Sequence, residues 1–156
     1  MVVQVLVPLA LVGNGLAAGV MLSTVIGVVP WMLAQPYDRY VVATRFLWSR
    51  YDPFMPIVNA LTCVLDVVLI FVVPAAVPRT LFAAAAGLLL LVMTISIVKN
   101  VPINRYVTSL DPAARPPDWE RRDPRMRWRG WNLTRTVLAL VAFGVNAWAA
   151  TALISM

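Results

Sequence analysis

The sequence predicts an all-α integral membrane protein: a bundle of four membrane-spanning helices with a short interfacial helix between the first and second. Three observations carry this reading. Of the 156 residues, 61% are hydrophobic, against roughly 45–50% in a soluble domain, so the excess must face something other than water. The apolar residues are also grouped. Val2 to Met32, Leu81 to Val98 and Val137 to Met156 contain no charged side chain, and Pro56 to Val77 contains one, Asp66. Finally, each run is long enough to cross once, because a hydrocarbon core of ~30 Å takes about 20 helical residues.

The expected spans are 3–31, 54–75, 80–101 and 124–155, in a single domain over 1–156. The first run has no basic residue before Arg39, unlike the basic start and short apolar core of a signal peptide, and reads as a permanent helix. Its Gly15, Gly19, Ser23 and Gly27 stand four apart, the small-residue ridge that lets a neighbouring helix approach closely. Pro30-Trp31 is expected to end it, with the indole at the headgroup level. From 37 to 51 the pattern is amphipathic: Tyr40, Thr44, Leu47, Trp48 and Tyr51 share a face, and most charges lie opposite. This reads as a helix in the membrane interface, an anchor or a lid over the bundle mouth. Asp52-Pro53 and Pro56 open helix two, since proline is tolerated in a first turn. Pro74 and Pro78 mark a short outer hairpin. Pro102 is expected to bend the exit of helix three by removing a backbone bond. Asp123-Pro124 reads as a cap followed by proline at the first helical position of helix four.

The net charge of +6 in a soluble protein would suggest nucleic acid; here it marks the cytoplasmic side instead, and no nucleic-acid partner is expected. Arg39, Arg45 and Arg50 lie between helices one and two. Between helices three and four, the stretch from Lys99 to Arg135 holds seven further arginines, Arg121 to Arg129 being the densest part. The connection between helices two and three offers Arg79. The first and third connections are therefore expected in the cytoplasm and both termini outside, in a multi-pass cell-membrane protein. The bilayer is the expected partner, and a homo-oligomer is compatible with the pattern. Cys63 is the sole cysteine and there is no histidine, which removes an internal disulfide, the commonest general base and the usual metal-ligand sets. No metal or other cofactor is expected.

Polar residues fall on one stripe of each helix: Asn14 on helix one; Asn59, Thr62, Cys63 and Asp66 on helix two; Ser96, Asn100 and Asn104 on helix three; Trp128, Asn132, Arg135 and Asn146 on helix four. Amide and charged groups facing lipid are costly, so the stripes should point inward. At ~1.5 Å per residue from the nearest interfacial aromatic, Asn14, Asp66 and Asn146 share a deep level. Asn59, Lys99, Asn100, Asn132 and Arg135 share a shallower one. Asp66 is either a protonated carboxyl knitting the bundle to Asn14 or Asn146, or a proton acceptor. Lys99 either snorkels to lipid phosphate or acts as a desolvated base. Arg135, on one face with Asn132 and Trp128, reads as an inward cation suited to an oxyanion. The Arg-rich run is a topogenic patch with no chemistry assigned.

Ala17-Ala18-Gly19 with Ser23 and Pro30, the helix-three exit from Thr94 to Pro102-Ile103-Asn104, and Arg127-Trp128 with Asn132 and Arg135 resemble the anthrone oxygenase-like family of small four-helix membrane proteins. The resemblance runs from helix one to helix four. Pro-x-Asn followed by Trp-x-x-x-Asn-x-x-Arg is its firmest part. It implies a role in aromatic polyketide or antibiotic biosynthesis, oxidising an anthrone to an anthraquinone with O2, and makes Asn104, Trp128, Asn132 and Arg135 the matching site positions. On this reading Trp128 and Trp131 stack on the rings, with Asn100, Asn59 and Asn14 as further substrate contacts. Arg135, Asn132 and Asn104 hold the oxyanion, and Asp66 or Lys99 takes the proton. A cyclase or isomerase using the same pocket, or a non-enzymatic carrier or assembly subunit, are the alternatives.

Overall fold

The computed structural model describes residues 2–154, and their regular structure is entirely helical. α1 (Val2–Ser23) passes through a π-helical turn (Thr24–Val28) into α2 (Val29–Leu33). α3 (Tyr37–Tyr51) is separated by Asp52-Pro53 from α4 (Phe54–Val72). α5 (Ala76–Ile95), a second π-helical turn (Ser96–Asn100) and α6 (Val101–Ser109) form one continuous rod. The one-turn α7 (Trp119–Arg122) precedes α8 (Arg125–Ile154). Residue 155, the expected end of the fourth span, lies outside the described residues. The stretches Val2–Leu33, Tyr37–Val72, Ala76–Ser109 and Trp119–Ile154 each contain a segment long and apolar enough to cross a membrane. The protein is a multi-pass membrane protein.

The spans close into a ring in which α1 and α5 each pack against both α4 and α8. Large aliphatic and aromatic side chains such as Phe71, Trp148 and Leu61 point outward, as they do where the solvent is lipid. The interior is layered. Val7, Ala10, Leu69, Val73, Phe82 and Ala149 form one apolar layer. Asn14, Asp66 and Asn146 are all fully buried, and the Asn146 amide donates to Asp66 Oδ2 at 3.1 Å. Further apolar groupings follow, of Cys63, Ala86, Leu89 and Ala142, and of Ala18, Met21, Val92 and Ala139. Small residues on α1 and α8 let the rods approach, and the polar stripes point inward.

Two prolines behave differently from expectation, for one reason. Proline has no N–H and clashes with the carbonyl four residues back. Each π turn lies immediately before a Val-Pro pair, and in each the valine N–H reaches back five residues: Val29 to the Thr24 carbonyl and Val101 to the Ser96 carbonyl. The extra residue accommodates the ring, so helix one runs past Pro30 to Leu33 and helix three past Pro102 to Ser109. Helix three also begins earlier than expected, at Ala76, with Pro78 in its first turn. The Arg79 guanidinium folds back to donate to the Val73 carbonyl at 3.0 Å and the Pro74 carbonyl at 3.1 Å, closing the C-terminal end of α4.

The small-residue ridge of helix one also needs correcting. A Cβ built on Gly19 or Gly27 meets nothing within 4 Å, and Gly19, Ser23 and Gly27 are exposed. Close approach holds within that ridge at Gly15, where a Cβ would meet the Phe143 ring at 3.2 Å, and comes outside it at Gly13, where a Cβ would collide with the Thr62 hydroxyl.

The polar segment between helices three and four packs as a cap on one end of the bundle. Met32, Tyr37, Tyr40, Val41, Val107 and Trp119 form its core, with the Tyr37 and Trp119 rings edge to face at 4.8 Å. The Tyr37 hydroxyl donates to the Asp111 carbonyl at 2.8 Å. Arg45 donates to the carbonyls of Thr108 (3.0 Å) and Leu110 (2.6 Å), satisfying the end of α6. Asp123 caps α8 by accepting the Arg125 N–H at 2.9 Å, as its sequence position predicts. Arg125 pairs with Asp123 and donates to the Gln35 carbonyl at 2.9 Å, tying α8 to the α2–α3 junction.

Candidate functional site

Beneath this cap lies a cavity of about 150 Å³, roughly the size of an engineered apolar cavity that holds one benzene ring. Both π turns border it, through Thr24 and Val28 on one side and Ser96, Ile97 and Asn100 on the other. Wide turns of this kind recur at functional sites, where an inserted residue re-aims side chains. α1 contributes Val20 and Met21. α3 forms the roof with Thr44, Leu47, Trp48 and Tyr51, and Asp52 follows. α4 adds Met55, Pro56 and Asn59, α6 adds Asn104, and α8 adds Trp128 and Arg135.

Arg135 is the cation of this wall. Its Nε and Nη2 donate to Asn132 Oδ1 at 3.2 and 2.6 Å, and its Nη1 donates to Ser96 Oγ at 3.0 Å. Asn132 is itself anchored, its amide donating to the Trp128 carbonyl one turn back at 2.8 Å. The guanidinium is thus oriented by neutral groups. Among the described residues no carboxylate lies in ion-pair contact with it. Around it, Asn100 is buried with neither amide atom hydrogen-bonded, and Asn59 keeps its Oδ1 unpartnered while its amide donates to the Met55 carbonyl at 3.0 Å. Buried polar groups are normally satisfied. A cation with spare donors, unsatisfied amides and the rings of Trp48, Tyr51 and Trp128 share the wall of this cavity.

Of the candidate residues read from the sequence, Asn59, Asn100, Asn104, Trp128 and Arg135 meet at this cavity. Asn132 stands behind it and positions Arg135. Two others are directed elsewhere. Lys99 is exposed and its Nζ lies 5.2 Å from the Trp131 ring centroid, a cation–π pair on the outside of the bundle; neither residue lines the cavity. Trp131 is one helical turn from Trp128 yet rotated off its face, and the neighbouring π turn keeps Asn100 inside and Lys99 outside. Asn14 and Asp66 lie in the deep polar layer, also off the cavity wall. Within that layer Asp66 Oδ1 and both amide atoms of Asn14 have no hydrogen-bond partner. Among the described residues no group of three or more His, Cys, Asp or Glu side chains could hold a metal ion.

Sequence reasoning did not assign Thr44, Trp48, Tyr51, Asp52 or Met21 to the site. The amphipathic face of 37–51 was the signal for the first three, since a lid and a lipid-facing anchor carry the same pattern. Asp52 is legible from sequence only as part of a helix-opening turn.

No curated protein and no solved structure matches the chain. The anthrone oxygenase family model matches residues 45–145, from the middle of α3 well into α8, a stretch that contains most of the cavity wall. On that match over more than half its length, the chain belongs to the anthrone oxygenase family.

Proposed function

We propose that this protein is a membrane-embedded, cofactor-independent oxygenase that converts a flat phenolic, anthrone-type polyketide to the quinone with O2. The observation that carries the proposal is Arg135, held by Asn132 and Ser96 with no acid against it, on the wall of a cavity lined with aromatic and apolar groups. Family membership supports the same class of chemistry. An anthrone has an acidic methylene flanked by two aryl rings. Loss of one C–H proton leaves the electron pair on an enolate, whose oxygen Arg135 stabilises together with the amides of Asn100 and Asn104. Preorganised donors aimed at a developing oxyanion are commonly the largest single contribution to such catalysis. The enolate carbon combines with O2 to give a peroxide anion, which takes back one proton to become the hydroperoxide; this eliminates water and leaves the new carbonyl. The balance is anthrone plus O2 giving anthraquinone plus water, so the redox step takes place between substrate and oxygen.

In this reading the chain acts as one domain, with α3 lying along the cytoplasmic membrane surface as a lid, the Arg-rich cap in the cytoplasm and both termini outside. A cavity matched to one ring cannot enclose three, so in this reading a tricyclic substrate extends beyond it and α3 moves to admit it. The test is oxygen uptake by the purified protein in lipid nanodiscs on addition of anthrone, with the quinone followed by absorbance. Stoichiometric uptake and quinone above the buffer rate are expected. Product formation without oxygen consumption would reassign the site to a non-redox cyclase or isomerase.

A further inference from the structure

The proposed chemistry needs a proton acceptor, and both residues that the sequence offered for it are elsewhere: Asp66 is sealed in the deep layer, and Lys99 faces outward against Trp131. We infer that Asp52 is the proton acceptor of this cavity, taking the acidic methylene proton of an anthrone-type substrate while Arg135 holds the resulting oxyanion; this rests on the proposed reading of the site.

Three observations support the assignment. First, among the described residues Asp52 is the one acidic side chain that lines the cavity; Asp66, Asp111 and Asp123, for example, do not. Second, its carboxylate is uncommitted: among the described residues it makes no hydrogen bond and no ion pair, although Arg135 lines the same cavity. An acid paired directly with Arg135 would neutralise the cation and lose its own lone pairs. Separated, the two present a base and an anion-stabilising group to one ligand. Third, its backbone is fixed while its side chain is free. Asp52 ends α3, its N–H donating to the Trp48 carbonyl at 2.9 Å, and Pro53 follows. The carboxylate is therefore delivered by the same helix that roofs the cavity.

Its partial exposure suits the role. A base that accepts a proton in every turnover has to give it up again, here to the peroxide anion formed from O2, directly or through water, which a fully enclosed carboxyl does not contact. In the step itself the substrate C–H bond breaks, its electron pair moves into the enolate, and the proton passes to a carboxylate oxygen of Asp52. No oxidant takes part until O2 meets the enolate.

Deprotonation can be separated from oxidation by excluding oxygen. The full-length protein in nanodiscs is given anthrone under argon in deuterated buffer, and deuterium wash-in at the methylene is read by mass spectrometry against the rate in buffer alone. Wild-type protein is expected to accelerate wash-in, and Asp52→Asn to lose the catalysed part by about 10²-fold or more, the usual contribution of a general base. Asp52→Glu should recover part of it. Quenching of tryptophan fluorescence by anthraquinone, retained in both variants, shows that the cavity still forms. Catalysed wash-in that survives in Asp52→Asn overturns the assignment while leaving the oxygenase reading standing, as does loss confined to Tyr51→Phe. Wash-in that needs Asp52, with no oxygen uptake when air is admitted, keeps Asp52 as the base and removes the oxygenase reading. Absence of catalysed wash-in in the wild type removes both.

Discussion

Asn132 makes no contact with the cavity, yet its replacement should weaken catalysis more than that of many wall residues. Its Oδ1 accepts two bonds from Arg135, at 3.2 and 2.6 Å. A hydrogen bond to a charged group contributes about 1.5–3 kcal/mol, and because one oxygen accepts both, we take about 3 kcal/mol for the pair. Asn132→Ala leaves Ser96 as the remaining partner and frees the guanidinium to rotate. If that orientation is fully expressed in the transition state, kcat falls on the order of 10²-fold. KM should change little, because the cation itself remains. Stability should fall by about 1–3 kcal/mol, since the bond to the Trp128 carbonyl is also lost. The assay is the initial rate of oxygen uptake in nanodiscs at saturating anthrone, with thermal unfolding measured in parallel. Asn132→Gln, which keeps the carbonyl acceptor, should restore part of the rate. A variant Asn132→Ala with wild-type kcat and a lowered melting temperature would refute the reasoning, assigning Asn132 to packing alone.

Trp48→Ala removes one aromatic wall of the roof; at about 0.5–1.5 kcal/mol per ring contact, KM for an aromatic substrate should rise by about two- to tenfold, checked by steady-state kinetics. In the deep layer, Asn146→Ala removes the amide that donates to Asp66 and should lower stability by about 1–3 kcal/mol, read as a shift in chemical or thermal unfolding, while Asp66→Asn should keep turnover within a few-fold of wild type. Gly13→Ala drives a methyl into Thr62, whose hydroxyl is committed to the Val58 carbonyl at 2.8 Å; overpacking of this kind costs about 1–3 kcal/mol. Gly19→Ala, open on all sides, should leave the melting temperature unchanged or slightly raised, and a large loss there would mean that the outer ridge of α1 is covered in the membrane.

Hydrophobic run lengths and polar periodicity determined the four spans, the inward turn of Asn59, Asp66, Asn132 and Asn146, and the common depth of Asp66 and Asn146. Each of these follows from repeat and rise along a single helix, and a helix carries that information in its own order of residues. Tertiary structure alone decided that Lys99 turns outward against Trp131, because a lysine at that level can extend to either side of its helix. It also decided that the amphipathic face of α3 roofs a cavity, and that Asp52 thereby lines the same cavity as Arg135. An apolar stripe reads alike whether lipid or protein covers it, and the residue ending a helix takes its neighbours from wherever the next element folds back.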